Sequence, residues 1–465
     1  MGIVGKSIGE GLGSLKETLR LSLPLMLTSL TLYLIYVVDR FILACYSLDA
    51  LNAGVQASTL TWAIWGGITV MAGMSEIFIA QCRLSQMIRV GKAIWNSIWL
   101  SVTSGLLLTP IAILFARHLY TPDSAEYEYF VWSMAFGVFQ PLSYALSTFF
   151  VGLGKTRLVL FLSTATILWN ALFDYLLIFG IPGWIPSLGA EGAAIAGGLS
   201  LGLQTALFLC VFLRKKNRLI YGTGDWKPHV DVFLKSFKIA APIGMLYNFE
   251  LWGWSIFYTM MAKTSNLHIT ISSLCQSVVL LFTFISEGLY RGTLLQANKC
   301  LAQNFEKPLR KIFNSALLIL GTSFLFQILV LIVSPKFLLN SVSPPTDELQ
   351  SLLSTFTVCA ALALTYVFFQ GVQWILSGFL CAIGQTLPVM IAGSAGLFGC
   401  LVLPTYFMIQ LQGLSVEWAW GIVVFYTVSC CTFYAFLITR AIRHRQDRLH
   451  VGDQFFSAGV QANKL

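Results

Sequence analysis

The sequence predicts an all-α integral membrane fold: twelve transmembrane helices in two pseudo-symmetric six-helix bundles around a central cleft. Three observations carry this. Of 465 residues, 57% are hydrophobic and only 11% are charged, where a soluble protein carries about 25% charged residues; the mean hydropathy is +0.76. The apolar residues run in long blocks, not in the alternating segments of about 10 residues that barrel strands show. A polar, basic stretch at 214–236 divides the blocks six and six. A soluble enzyme, a disordered chain and a fibrous repeat are excluded.

A bilayer core of about 30 Å needs about 20 apolar residues per helix. The first block, 21–43, is opened by Pro24; the second spans 55–78. The third, 94–116, is closed by Arg117, and the fourth covers 128–150. The fifth, 158–181, follows Lys155 and Arg157. The sixth, 190–213, stops at Arg214, Lys215 and Lys216. In the second half, 237–262 is entered through Pro242 and ends at Lys263, and 270–295 follows. The ninth block, 312–334, comes after Arg310 and Lys311. The last three are 352–380, 386–410 and 414–439, the final one stopped by Arg440 and Arg443. The domains are then an N-terminal segment 1–20, a first lobe 21–213, a linker 214–236, a second lobe 237–439 and a tail 440–465. No length remains for a soluble catalytic or nucleotide-binding domain, and no GxxxxGK[ST] loop is present to hold a phosphate chain.

The net charge of +9 does not point to nucleic acid. The cations cluster in the termini and in the connections after even-numbered helices, most densely at Arg214, Lys215, Lys216, Arg218 and Lys227; the opposite connections hold only Arg117, Lys263 and Lys336. The positive-inside rule puts both termini in the cytoplasm. The expectation is a multi-pass protein of the plasma or inner membrane, its basic loops facing anionic lipid, and a monomer. The ten cysteines sit mostly in or beside apolar blocks as small hydrophobes. Without a CxxC pair, and with five His assigned to loops and tails, neither a structural metal nor a cofactor is expected.

The halves resemble each other. Phe139-Gln140 precedes Gly154-Lys155-Thr156 as Phe369-Gln370 precedes Gly384-Gln385-Thr386, and Gly73 and Gln81 match Gly288 and Gln296. Six helices per half make the repeats parallel, related by an axis along the membrane normal. Two such bundles rocking about a cleft form a secondary transporter.

Ionisable residues inside a bilayer cost a few kcal/mol each and mark function. At ~1.5 Å per residue, Asp39 lies ~27 Å along the first helix and Asp174 ~24 Å along the fifth, in one layer. Asn170 shares a face with Asp174, four residues on. Two carboxylates and an amide at one depth suit a hard cation or a shared proton; the other reading is that each acid pairs with an arginine or caps a helix. Arg40, adjacent to Asp39, is expected to snorkel to the interface. Glu250 stands alone among Tyr247, Trp252 and Trp254, a site for a protonatable carboxyl. Glu76, Glu287 and Arg291 fall near the cytoplasmic ends of helices 2 and 8. They are candidates for a cytoplasmic gate, Glu76 meeting Arg291 across the cleft, or else Glu287 pairs with Arg291 within its own helix.

These residues carry a family likeness. Leu21–Ala57, with Pro24, Tyr36-Val37-Val38-Asp39 and Leu48-Asp49-Ala50-Leu51-Asn52-Ala53, resembles the opening of multidrug and toxic compound extrusion (MATE) transporters. So do Asn170 to Gly180, Leu188 to Ala194, and Pro242 to Glu250. The likeness runs from about Leu15 to Arg443. It implies a V of two six-helix lobes that exports organic cations and amphipathic drugs in exchange for sodium or protons. It implies a coupling-ion site of Asp39, Asn170 and Asp174, and a second-lobe acid at Glu250. Gln370 stands where members often have Asp, and Gly197 where some have Thr, which leans the coupling ion toward the proton. An aromatic cavity for a cationic or amphipathic small molecule would use Tyr33, Tyr36, Phe139, Gln140, Tyr247, Trp252 and Gln370. The alternatives are a lipid-linked or polysaccharide flippase of the same superfamily, disfavoured because the only intramembrane cations are Arg40 and Arg291, and a membrane-embedded enzyme.

Overall fold

The computed structural model describes residues 14–73, 84–153, 155–302, 307–344, 351–383 and 385–462. Nearly all of them are helical. Helix α1 (Leu15–Tyr46) starts at Ser14, whose hydroxyl accepts the Glu17 N–H as an N-cap. Pro24 lies inside it and removes one i→i−4 donor, yet the helix continues beyond. The chain then continues through α2 (Leu48–Gly73), α3 (Val90–Leu119), α4 (Ala125–Phe136), α5 (Phe139–Gly152), α6 (Thr156–Ile178) and α7 (Gly189–Phe212). The basic linker folds partly, as α8 (Lys215–Tyr221), which ends on Gly222 in the left-handed conformation. The second half comprises α9 (Val230–Thr264), α10 (Asn266–Ala302), α11 (Lys307–Val333), the short α12 (Pro335–Asn340), α13 (Leu353–Ala382), α14 (Thr386–Gly396) and α15 (Val416–Ala462).

Nine helical segments among the described residues are long and apolar enough to cross a membrane. The chain is therefore a multi-pass membrane protein. Three expected boundaries shift. The fourth block is bent at Gly137 and Val138, between α4 and α5, where a side chain on Gly137 would collide with the Trp65 indole. The seventh helix begins at Val230, inside the expected linker. The eleventh continues from α14 through π-wide turns at Leu397–Val402 and Tyr406–Leu411 around Pro404, as helices do where a proline disturbs the ladder. His268 is not a loop residue; it is buried in α10, hydrogen-bonded to Ser265 and to the Leu414 carbonyl.

Two seams join the halves: α1 runs along α10, and α2 along α9. Under the internal repeat α1 corresponds to α9 and α2 to α10, so the repeat exchanges one seam with the other. Both seams use glycine to bring backbones together, as membrane helices do. Gly288 and Gly292 of α10 lie against Met26 and Ser22, and Gly67 of α2 against Gly244 and Asn248. Polar side chains fasten the second seam. Asn248 Oδ1 accepts the Gly67 N–H (2.6 Å), and one turn on, Trp252 Nε1 donates to the Ala63 carbonyl (2.7 Å).

The core is uneven along the helices. At the end far from the termini one apolar cluster spans both halves, from Leu43, Leu51, Val55 and Phe130 to Phe257, Tyr258, Met261 and Ile269. At the termini's end the halves keep separate clusters: Ile94, Phe149, Phe150 and Phe212 in the first, Leu289, Ile312, Leu320 and Phe379 in the second. Met26 of α1 belongs to the latter.

Candidate ion and substrate site

Asp39 comes from α1 and Asp174 from α6, helices in direct contact. Asp39 is 8% exposed and Asp174 and Asn170 are fully buried. Asn170 is one turn before Asp174, so the helix period places it between the two acids. Its Nδ2 donates to Asp39 Oδ1 (3.1 Å) and to Asp174 Oδ2 (3.0 Å). The two carboxyl groups share this one amide donor, a proximity at which ionised carboxylates repel each other unless a proton or cation lies between them. Asn170 Oδ1 and Asp174 Oδ1 are buried with no hydrogen-bond donor. The structure thus brings the three expected residues into one cluster of oxygens with acceptors to spare. None of the ion pairs among the described residues includes either acid.

Arg40 departs from the expectation of snorkelling. It is 9% exposed, with Tyr129 of α4 and Tyr258 of α9 near enough to act on its charge.

Glu250 on α9 lies apart from this cluster, in the second half. Half-buried, it lies in the neighbourhood of Tyr366 of α13 and of Tyr426, Cys430 and Tyr434 of α15. Tyr366 accepts a hydrogen bond from Gln370 Nε2 (2.6 Å), while Gln370 Oε1 is buried without a donor. Gln140, the repeat counterpart of Gln370, has its Nε2 buried and unpartnered. Tyr36 meets Trp62 edge-on at 5.6 Å, and Phe139 stacks near Phe136 at 6.3 Å. Tyr247 packs over Gly66. Trp252, half-exposed, is held by its indole to α2.

Of the gate candidates, Glu76 lies outside the described residues. Arg291 donates to Glu287, one turn earlier on α10, the within-helix arrangement. Tyr33 of α1 lies near Glu287, so these candidates sit on the α1–α10 seam. Gly197 of α7 faces open space, with room for the side chain that the resemblance leads one to expect. The sequence reading missed Asn248, and also Asn52, whose Nδ2 donates to Thr270 Oγ1 (2.8 Å) across the halves. A lone amide in an apolar helix was the signal available for each.

No protein-family model matches the chain. A curated relative, a probable multidrug resistance protein NorM of Bradyrhizobium diazoefficiens, is 22% identical over 423 residues, 87% of this chain and 88% of its own. Solved structures of a multidrug resistance MATE family transporter share the fold in two states. The inward-facing one gives a TM-score of 0.67 over 89% of this chain and 95% of that one, at 16% identity. The outward-facing one gives 0.69 over 93% and 97%, at 14% identity. Along most of its length the chain is thus similar in sequence to multidrug resistance proteins of this kind and shares the fold of solved MATE transporters.

Proposed function

We propose that the protein is a secondary antiporter that exports organic cations or amphipathic compounds by alternating access, driven by a proton or sodium gradient. The carrying observation is the buried Asp39–Asn170–Asp174 cluster, with its orphaned acceptors. In this reading twelve helices form two lobes, 21–213 and 237–439, joined by the linker 214–236. The protein is a monomer in the plasma or inner membrane, and the N-terminal segment and tail are cytoplasmic. The far end is then external, and the joint core there corresponds to an outward-closed form. A cation binding at Asp39 and Asp174 from outside shifts the balance between the two openings only through unequal affinity for them. Glu250, with Tyr366 and Gln370, supplies a second acid that holds a proton or faces a cationic substrate. The wall of the substrate path is aromatic (Tyr33, Tyr36, Phe139, Tyr247 and Trp252), with Gln140 and Gln370 as its amides. Glu287 and Arg291, with Glu76, guard the cytoplasmic side.

The test is ethidium efflux from cells or vesicles under separate sodium and pH gradients, with Asp39→Asn, Asp174→Asn and Glu250→Gln beside the wild type. Loss of gradient-driven efflux by roughly tenfold in the first two, the scale of a typical coupling free energy, supports the assignment. Unchanged efflux in both removes it.

A further inference from the structure

A buried charge with no ion pair is costly and tends to mark function. Arg40 is such a charge. Its side chain is 9% exposed, Nη1 is buried without an acceptor, and it takes part in none of the ion pairs among the described residues. Tyr36 and Asp39 on its own helix, Tyr129 on α4 and Tyr258 on α9 lie near enough to act on its charge. The last comes from the other half, and both Tyr129 and Tyr258 belong to the joint core that seals the far end. Closing that end is therefore what takes Arg40 out of water, together with Asp39.

We infer that Arg40 sets how many cations the far end closes upon: its permanent charge stands in for one coupling cation beside Asp39 and Asp174. The inference rests on the proposed role of those two acids. The reasoning is charge arithmetic in a low-dielectric seam. Two carboxylates and one guanidinium carry a net charge of minus one when empty and zero with one monovalent cation bound. They carry plus one with two. Burial favours the neutral arrangement, so closure selects one cation. Without Arg40 the neutral arrangement needs two.

The experiment needs no transported substrate. Spin labels at the exposed Thr121 and Ser415, one in each half at the far end, on a cysteine-free background, report opening by their distance distribution while proton or sodium concentration is varied. In the wild type a tenfold rise in the coupling cation should change the closed-to-open ratio about tenfold, and in Arg40→Met about a hundredfold, as linkage requires for one and two bound cations. Arg40→Lys should follow the wild type. The double variant Arg40→Met/Asp174→Asn, which removes one charge of each sign, should return to the single-cation dependence. It also tests the idea should Arg40→Met alone fail to fold. If Arg40→Met keeps the tenfold cation dependence of the wild type, or Arg40→Lys takes on the hundredfold dependence expected of Arg40→Met, the inference is overturned while the acid site stands. If closure in the wild type responds to neither cation, or responds unchanged in Asp39→Asn and Asp174→Asn, the site assignment itself fails.

Discussion

Asn170 is the residue that makes two acids tolerable in one buried place. Each of its two N–H bonds ends on a different carboxylate, and hydrogen bonds to charged groups contribute more than neutral ones, about 1.5–3 kcal/mol. Asn170→Ala should therefore lower the thermal midpoint of the purified protein and cost about 1–3 kcal/mol of stability. Asp174→Asn, which removes a like charge, should cost less; a scan of both variants in detergent checks the ranking. An Asn170→Ala protein as stable as the wild type would mean that the amide does not bind both carboxylates. This cluster was legible in the sequence because helix geometry alone sets depth and face: Asn170 and Asp174 are one turn apart, and Asp39 reaches the same layer from another helix. Arg40 was not legible. Its burial depends on Tyr258, 218 positions away in the chain, and no local pattern announces which helix face another half will cover. Asn52 and Thr270 are a second case, 218 positions apart as well.

At the scale of elements, the seam between α2 and α9 is built on a backbone approach rather than on side-chain volume. A Cβ on Gly67 would meet the Gly244 carbonyl and the Asn248 side chain, and a carbonyl in a helix cannot move aside as a flexible side chain can. Gly67→Ala should cost about 1–3 kcal/mol, the usual penalty of overpacking. Gly197→Ala, which meets nothing within 4 Å, should be neutral or slightly stabilising, since alanine favours a helix. Denaturation of the pair side by side separates contact from propensity. The linker offers a different test. Asp225 pairs with Lys92 (3.4 Å) and with His229 (3.2 Å). Its partial loss of water raises the carboxyl's pKa, but hydrogen bonds from His229 and Lys92 outweigh this and hold it below the usual carboxylate range. A lowered folded value means that this contribution is complete above the unfolded value and is lost as pH falls through the folded one. Hydrogen exchange at 222–229 should accelerate only below about pH 4, the ordinary aspartate value, and Asp225→Asn should abolish that acid dependence. The apolar blocks foretold which stretches are helical. They did not foretell the Gly137 bend or the π-wide turns at Leu397–Leu411, because both arise from close contacts and proline effects that leave hydropathy unchanged.

At the scale of the whole molecule, the two ends of the helices differ in what holds them. The termini's end has two clusters, the second of which takes in only Met26 from the first half, whereas the far end shares one, from Leu51 and Val55 to Met261 and Ile269. Composition and block spacing pointed to a membrane bundle, and short matches between its halves to an internal repeat. They carry no information about which end of two similar halves is shut, because a chain that alternates as proposed has to be stable in both arrangements, with energies a few kcal/mol apart. The closing contact that the structure adds is Asn52 with Thr270, 9% and 7% exposed and hydrogen-bonded at 2.8 Å. An alternating-access cycle must break it once per turnover, so a covalent bond in its place should stop transport. Asn52→Cys/Thr270→Cys, oxidised with copper phenanthroline, should lose ethidium efflux and regain it on reduction, whereas either single cysteine should transport under both conditions. A cross-linked protein that still exports dye would show that the far end stays closed throughout the cycle, and the alternating-access reading would have to be given up.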